Sequence, residues 1–136
     1  MIKVKRTVEI RRGRQGRRRK ERGVERPQGR IPRVSRLMAL AIKFDGLIDD
    51  GVVADRSELA RLAHVTQPRM TQIMNLLNLA PDIQETLLFL PRVTNGRDPV
   101  HEKMLRPIAA ELSWKEQRQN WATIKLKVRI TPRPAP

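Results

Sequence analysis

Cysteine is absent from the 136 residues, which removes disulfide frames, thiolate zinc sites and cysteine nucleophiles together. Aromatic side chains are scarce: Phe44, Phe89, Trp114 and Trp121 are the full set. All four are better placed for packing than for stacking bases of RNA or single strands. The two histidines, His64 and His101, stand at no metal-ligand spacing, and no serine-centred elbow or glycine-rich phosphate loop occurs. The chain therefore reads as a non-enzyme with no cofactor and no metal. It also lacks an apolar run near the roughly 20 residues needed to cross a bilayer. Its first ten residues alternate Ile2, Val4, Val8 and Ile10 with charges, unlike a signal peptide, so a soluble, unprocessed, cytoplasmic protein is expected.

Positive charge is what the sequence has in excess, 29 Lys and Arg against 14 Asp and Glu, for a net +15. The excess is uneven. Residues 11–30 carry ten basic and two acidic side chains, residues 31–99 carry eight of each, and residues 100–136 carry eight basic and three acidic. Basic flanks around a neutral centre suit a polyanion, because each phosphate neutralised by Lys or Arg releases a condensed counterion. A membrane surface fits less well, since no Trp, Phe or Leu is interleaved with the arginines to insert into lipid.

Residues 11–30 hold one large aliphatic side chain, Val24, and cannot bury enough apolar surface to offset backbone ordering. They read as a disordered basic arm, preceded by an alternating strand over 2–10. Ile31-Pro32 opens a first amphipathic helix with Val34, Leu37, Leu40, Ala41, Phe44 and Ile48 at spacings of three and four. Asp45, Asp49 and Asp50 lie near its end as a solvated turn, since the alternation and closing Glu of a calcium loop are missing. Asp55 or Ser57 caps a second helix, and Thr66 caps a third with Pro68 in its first turn. Pro81 starts a fourth helix. Asp98-Pro99 are expected to cap and begin the next, which Pro107 kinks or ends, and Ser113 to Glu116 has capping-box spacing. Trp114 and Trp121, seven apart, are expected to pack on one helix face. Thr123 to Ile130 alternates apolar and basic residues and reads as a strand able to pair with residues 2–10 or with a second copy.

The segment from Arg56 to Asn75 has the spacing of a helix-turn-helix. Ala60 is small where two helices would cross, and Leu59, Ala63, Val65, Met70 and Ile73 fall where the seam must be sealed. Thr66, Gln67, Pro68, Thr71, Gln72 and Asn75 are left on the outer face. There Gln and Asn match the donor–acceptor edge of adenine in the major groove. Arg56 and Arg69, at helix starts, and Arg11, Arg12, Arg14, Arg17, Arg18, Arg19 and Lys20 of the arm are the expected phosphate contacts.

These residues resemble the helix-turn-helix of the ParB/KorB partition and repressor proteins and, more distantly, phage repressor domains. The likeness rests on Ser57-Glu58-Leu59-Ala60, on Val65-Thr66-Gln67 and on the continuation from Ile73 through Pro81-Asp82 to Glu85, and it covers roughly residues 34–90. His64 stands where that family usually has Gly, and a positive φ there costs on the order of 1 kcal/mol. The family's nucleotide-binding domain has no counterpart upstream, so CTP-driven clamping is not implied. The expected protein is mainly α: a helix-turn-helix bundle of about four to six helices, with a disordered arm and allowance for a short terminal β-ribbon. Its parts are the arm and strand (1–30), the DNA-binding domain (31–90) and a helical extension ending in a strand (91–136). The resemblance implies sequence-specific binding of double-stranded DNA by a regulator or a partition or recombination accessory factor of a mobile element, nucleoid-associated and acting as a homodimer or larger assembly. RNA or nonspecific nucleic-acid binding through the arm, and a protein-interaction adaptor, are the alternatives.

Overall fold

Pro32 sets the entry angle of the first helix, α1 (Arg33–Asp49), whose Val34, Met38 and Ala41 recur at helical spacing and are buried. In this computed structural model, residues 28–129 are described; the expected strand over 2–10 and the arm residues before Gln28 lie outside them. α1 ends where Gly51 adopts φ +75°. The Gly51 amide donates to the Ile48 carbonyl (3.1 Å) and the Val52 amide to that of Leu47 (3.0 Å), the double closure that a left-handed residue permits. Asp45 and Asp49 thus belong to the last turns of α1.

Five more α-helices follow: α2 (Arg56–Leu62), α3 (Gln67–Met74), α4 (Pro81–Leu88), α5 (Glu102–Ala110) and α6 (Trp114–Val128), with a 3-10 turn, Asn75–Asn78, continuing α3. The mainly helical bundle expected from the sequence is the one observed. Pro81 is the first residue of α4, and the Ser113 hydroxyl accepts the Glu116 amide at the start of α6. Pro107 does not end α5, which runs three residues beyond it.

Two apolar clusters hold the helices together. The larger joins Val34, Met38 and Ala41 of α1 to Ile83 and Leu87 of α4, Leu105 and Ile108 of α5 and Trp121 of α6. The smaller contains Val53, Leu59, Ala60, Met70 and Met74, with Phe44, Leu47 and Ile48 of α1 packed against it. α3 belongs to both, Ile73 facing one and Met70 and Met74 the other. Hence α3 is clamped from two sides, whereas α2 rests on the small cluster alone. Gln117, with no exposed surface, ties the far side: its Oε1 accepts the Ala80 amide (2.8 Å) and its Nε2 donates to the carbonyls of Asn78 (3.0 Å) and Glu111 (2.8 Å). Every polar atom of this buried amide that the turn requires is matched.

Three expectations are corrected. Thr123 to Val128 is helix, not strand, and among the described residues no strand is formed. Trp121, Ile124 and Val128, three and four apart, meet the large cluster, while Leu126 is 80% exposed. Period 3.6 therefore wins over the apparent period of two. Asp98 caps α1 instead of α5: its Oδ2 accepts the Arg33 amide (2.9 Å), its Oδ1 accepts from Arg30 (2.8 Å), and α5 starts at Glu102 after His101. Trp114 is 48% exposed with the Arg118 guanidinium 5.8 Å from its ring centre, so only Trp121 packs inside.

The last residue of the expected arm is also anchored. Arg30 and Val93 exchange backbone hydrogen bonds (3.0 and 2.9 Å), and Gly29 approaches so closely that a Cβ there would lie 2.7 Å from the Val93 carbonyl oxygen. Only glycine fits at that contact, where φ is +90°.

Candidate nucleic-acid interface

The second helix is fixed at its start by Asp55, whose Oδ1 accepts the Glu58 amide (2.9 Å) while Glu58 accepts the Ala54 amide (3.0 Å). Its end is closed by His64 at φ +58°. The Val65 amide donates to the Ala60 carbonyl (3.0 Å) and the His64 amide to that of Arg61 (3.3 Å), the same double closure that ends α1. The left-handed turn expected at position 64 is therefore formed without glycine. Thr66 then caps α3, its Oγ1 accepting the Arg69 amide (3.2 Å).

Leu59, Ala60 and Met70 are buried in the seam and Val65 is half-buried against it, whereas Ile73 is buried in the larger cluster, against α1 instead of α2. Ala63 is exposed: as the C-cap residue of α2 it points away from the seam it was expected to seal. Above the seam Thr66, Gln67, Pro68, Thr71 and Asn75 are all exposed. Gln67, Thr71 and Asn75, four apart, form one row about 12 Å long at 1.5 Å per residue. Among the described residues their side chains have no hydrogen-bond partner. Arg56, at the first position of α2, is likewise exposed and unpaired. Of the expected phosphate contacts, Arg11, Arg12, Arg14, Arg17, Arg18, Arg19 and Lys20 lie outside the described residues.

Gln72 and Arg69 differ from the rest, because α5 holds both. Arg69 Nη1 donates to both carboxylate oxygens of Glu102 (2.8 and 2.7 Å) and to Gln72 Oε1 (3.2 Å). Arg106 Nη2 reaches Gln72 Oε1 and Glu102 Oε2, each at 3.4 Å. A guanidinium only donates, so the amide of Gln72 must turn its oxygen inward and leave its NH2 group facing out. Arg69, expected as a free phosphate contact, is thus committed to Glu102, whose side chain is 12% exposed. Such pairing across 33 residues carries no local sequence signal.

Asp98 is held below the usual carboxylate range chiefly by the Arg33 amide at the start of α1 and further by Arg30. Asp82, at the start of α4, is lowered by its hydrogen bonds from Arg118. Both carboxylates are structural clamps, remote in the chain from their partners. Among the described residues no group of three or more His, Cys, Asp or Glu is placed to hold a metal, and no helix is long and apolar enough to cross a membrane. Set against models of known protein families, curated proteins and solved structures, the chain finds no match in any of the three.

Proposed function

We propose that this protein binds double-stranded DNA in a sequence-specific manner, with α2 and α3 as a helix-turn-helix of the ParB/KorB type and α3 as its reading helix. The observation that carries the reading is the exposed, unpartnered row Gln67, Thr71 and Asn75, rigidly backed by the buried Met70 and Ile73 and aimed by the left-handed turn at His64. A helix about 12 Å across fits a major groove of similar width, and amide side chains there discriminate base edges. Arg56 is a phosphate contact at the margin of the reader, and the arginines of residues 11–20 add sequence-independent affinity.

In this reading the protein is a transcriptional regulator or a partition or recombination accessory factor of a mobile element, acting at the bacterial nucleoid. One short reading helix spans few base pairs, so it works as a two-fold pair or within a larger assembly. With Thr123–Val128 helical, that segment does not supply the joint of such a pair as a β-strand. RNA recognition is disfavoured by the aromatics: Trp121 is buried, Phe44 and Phe89 are half-buried, and Arg118 lies over Trp114. Selection of bound duplexes from a random pool at fixed salt tests the proposal. Enrichment of a defined motif by the full chain is expected; an unenriched pool, or preference for single strands, overturns it.

A further inference from the structure

Two clefts share walls, and one of them reaches α3 through Arg69. One, of about 360 Å³, is bounded by Arg69, Arg106, Lys103 and Arg33; the next, of about 530 Å³, by Arg33, Arg36 and Arg97. Arg33, Asp98 and His101 line both, so the two form one trough leading from α3, past the start of α5, to the start of α1. Among the described residues its only carboxylates are Asp98 and Glu102, and both are already occupied by hydrogen bonds from this chain. The side chains of Arg33, Arg36, Arg97 and Lys103 are left without an acceptor among the described residues.

A second observation points the same way. Arg33 and Arg36 occupy the first turn of α1, whereas Asp45 and Asp49 lie toward its other end. This reverses the arrangement that the helix macrodipole favours, which puts anions at the N-terminus and cations at the C-terminus. A 17-residue helix with its charges set against its dipole gains nothing in the free state from that placement. An anion entering the trough is attracted by the arginines, the positive end of the helix being met already by Asp98.

We infer that this trough carries the sugar–phosphate backbone of the duplex beyond the reading helix, with Arg36, Arg97 and Lys103 as phosphate contacts. The inference rests on α3 as reader. A backbone, and not a compact anion, is the fitting ligand because the trough is open, elongated and continuous with α3. Arg30 also lines this trough.

The test uses the full chain carrying Arg36→Ala, Arg97→Ala and Lys103→Ala together, titrated against specific and scrambled duplexes over a salt series. Each lost phosphate contact lowers the slope of log K against log salt by about 0.9. The triple variant is expected to lose nearly three units of slope and roughly a hundredfold or more in affinity at about 0.1 M salt, with its order of sequence preference and its melting temperature kept. Lys115→Ala, Lys125→Ala and Lys127→Ala together, on α6, remove the same charge elsewhere and are expected to leave the slope nearly unchanged. An unchanged slope in the folded trough variant overturns the inference, as does an equal loss in the α6 variant or a loss seen on an RNA hairpin but not on duplex. Gln67→Ala separates this from failure of the reader: if it alters base preference while the trough variant keeps its slope, the reader stands and the trough falls. If the unmodified chain binds no duplex, both fall.

Discussion

Replacing Glu102 by Ala should change which base Gln72 selects, although Glu102 lies on a different helix and 30 residues away. In the free protein Glu102 holds Arg69 at 2.7 and 2.8 Å and Arg106 at 3.4 Å, and these two guanidiniums hold the Gln72 oxygen. With its oxygen occupied Gln72 presents only donors, which favours a base edge of two acceptors, guanine O6 and N7, over adenine with its N6 donor. Without Glu102 the guanidiniums relax, the amide turns, and the donor–acceptor pair suited to adenine becomes available. A bidentate contact is worth about 1–3 kcal/mol of discrimination, so the preference should shift toward adenine by roughly fivefold to a hundredfold at one position. Stability should fall by about 1–3 kcal/mol, because the Glu102 side chain is only 12% exposed and its loss leaves the part-buried Arg69 without its acceptor. The freed Arg69 can then meet a phosphate, raising the salt slope by about one unit. A base-substitution panel on the selected site, with Gln72→Ala beside Glu102→Ala, reads all of this. Adenine already preferred by the unmodified protein at that position, with no change in Glu102→Ala, would refute the reasoning.

Other perturbations have distinct signatures. Gln117→Ala leaves the Ala80 amide and the carbonyls of Asn78 and Glu111 without their partner. A loss of about 3 kcal/mol is expected in chemical denaturation, and less than about 1 would contradict the clamp. His64→Gly relieves a non-glycine φ of +58° and should stabilise by up to about 1 kcal/mol, raising the melting temperature a few degrees without altering base preference. Asp98 is lowered in the folded state, so its contribution is intact above the unfolded value of about 4 and is lost as pH falls through the lowered one. Asp98→Asn should therefore cost about 1 kcal/mol at pH 7, as for a lost helix cap, and flatten the acid limb of the stability curve; melts from about pH 7 to 2 check both.

What the sequence made legible was local. Thr66, Asp55, Pro81 and Ser113 each act through a partner within three residues or through a fixed φ, and each marks the helix start expected of it. The left-handed turn at His64 was legible only through the resemblance, which puts glycine at that place. The strand reading of Thr123–Ile130 failed over Thr123–Val128 because eight residues contain too few turns to separate period two from 3.6, and the deciding contact, Trp121 with the core, is tertiary. Asp98 looked like the cap of its own neighbour and serves a helix 65 residues earlier. The trough was hidden by arithmetic: residues 31–99 are neutral in sum, yet the fold gathers Arg33, Arg36 and Arg97 on one side while Asp45, Asp49 and Asp55 line neither cleft.

The central claim, that α3 reads duplex DNA, is tested most directly by Gln67→Ala measured on the selected site and on its single-base substitutions at one salt concentration. Gln67 is exposed and unpartnered at the start of α3, so the variant should melt with the unmodified protein. Preference should relax at one base position by about tenfold to a hundredfold and stay unchanged elsewhere. Ala60→Leu, which overpacks the seam and costs roughly 1–3 kcal/mol, shows the contrasting pattern of lost stability with weaker binding to every duplex. A Gln67→Ala protein that is fully folded and unchanged in both affinity and preference would contradict the assignment of α3 as the reading helix.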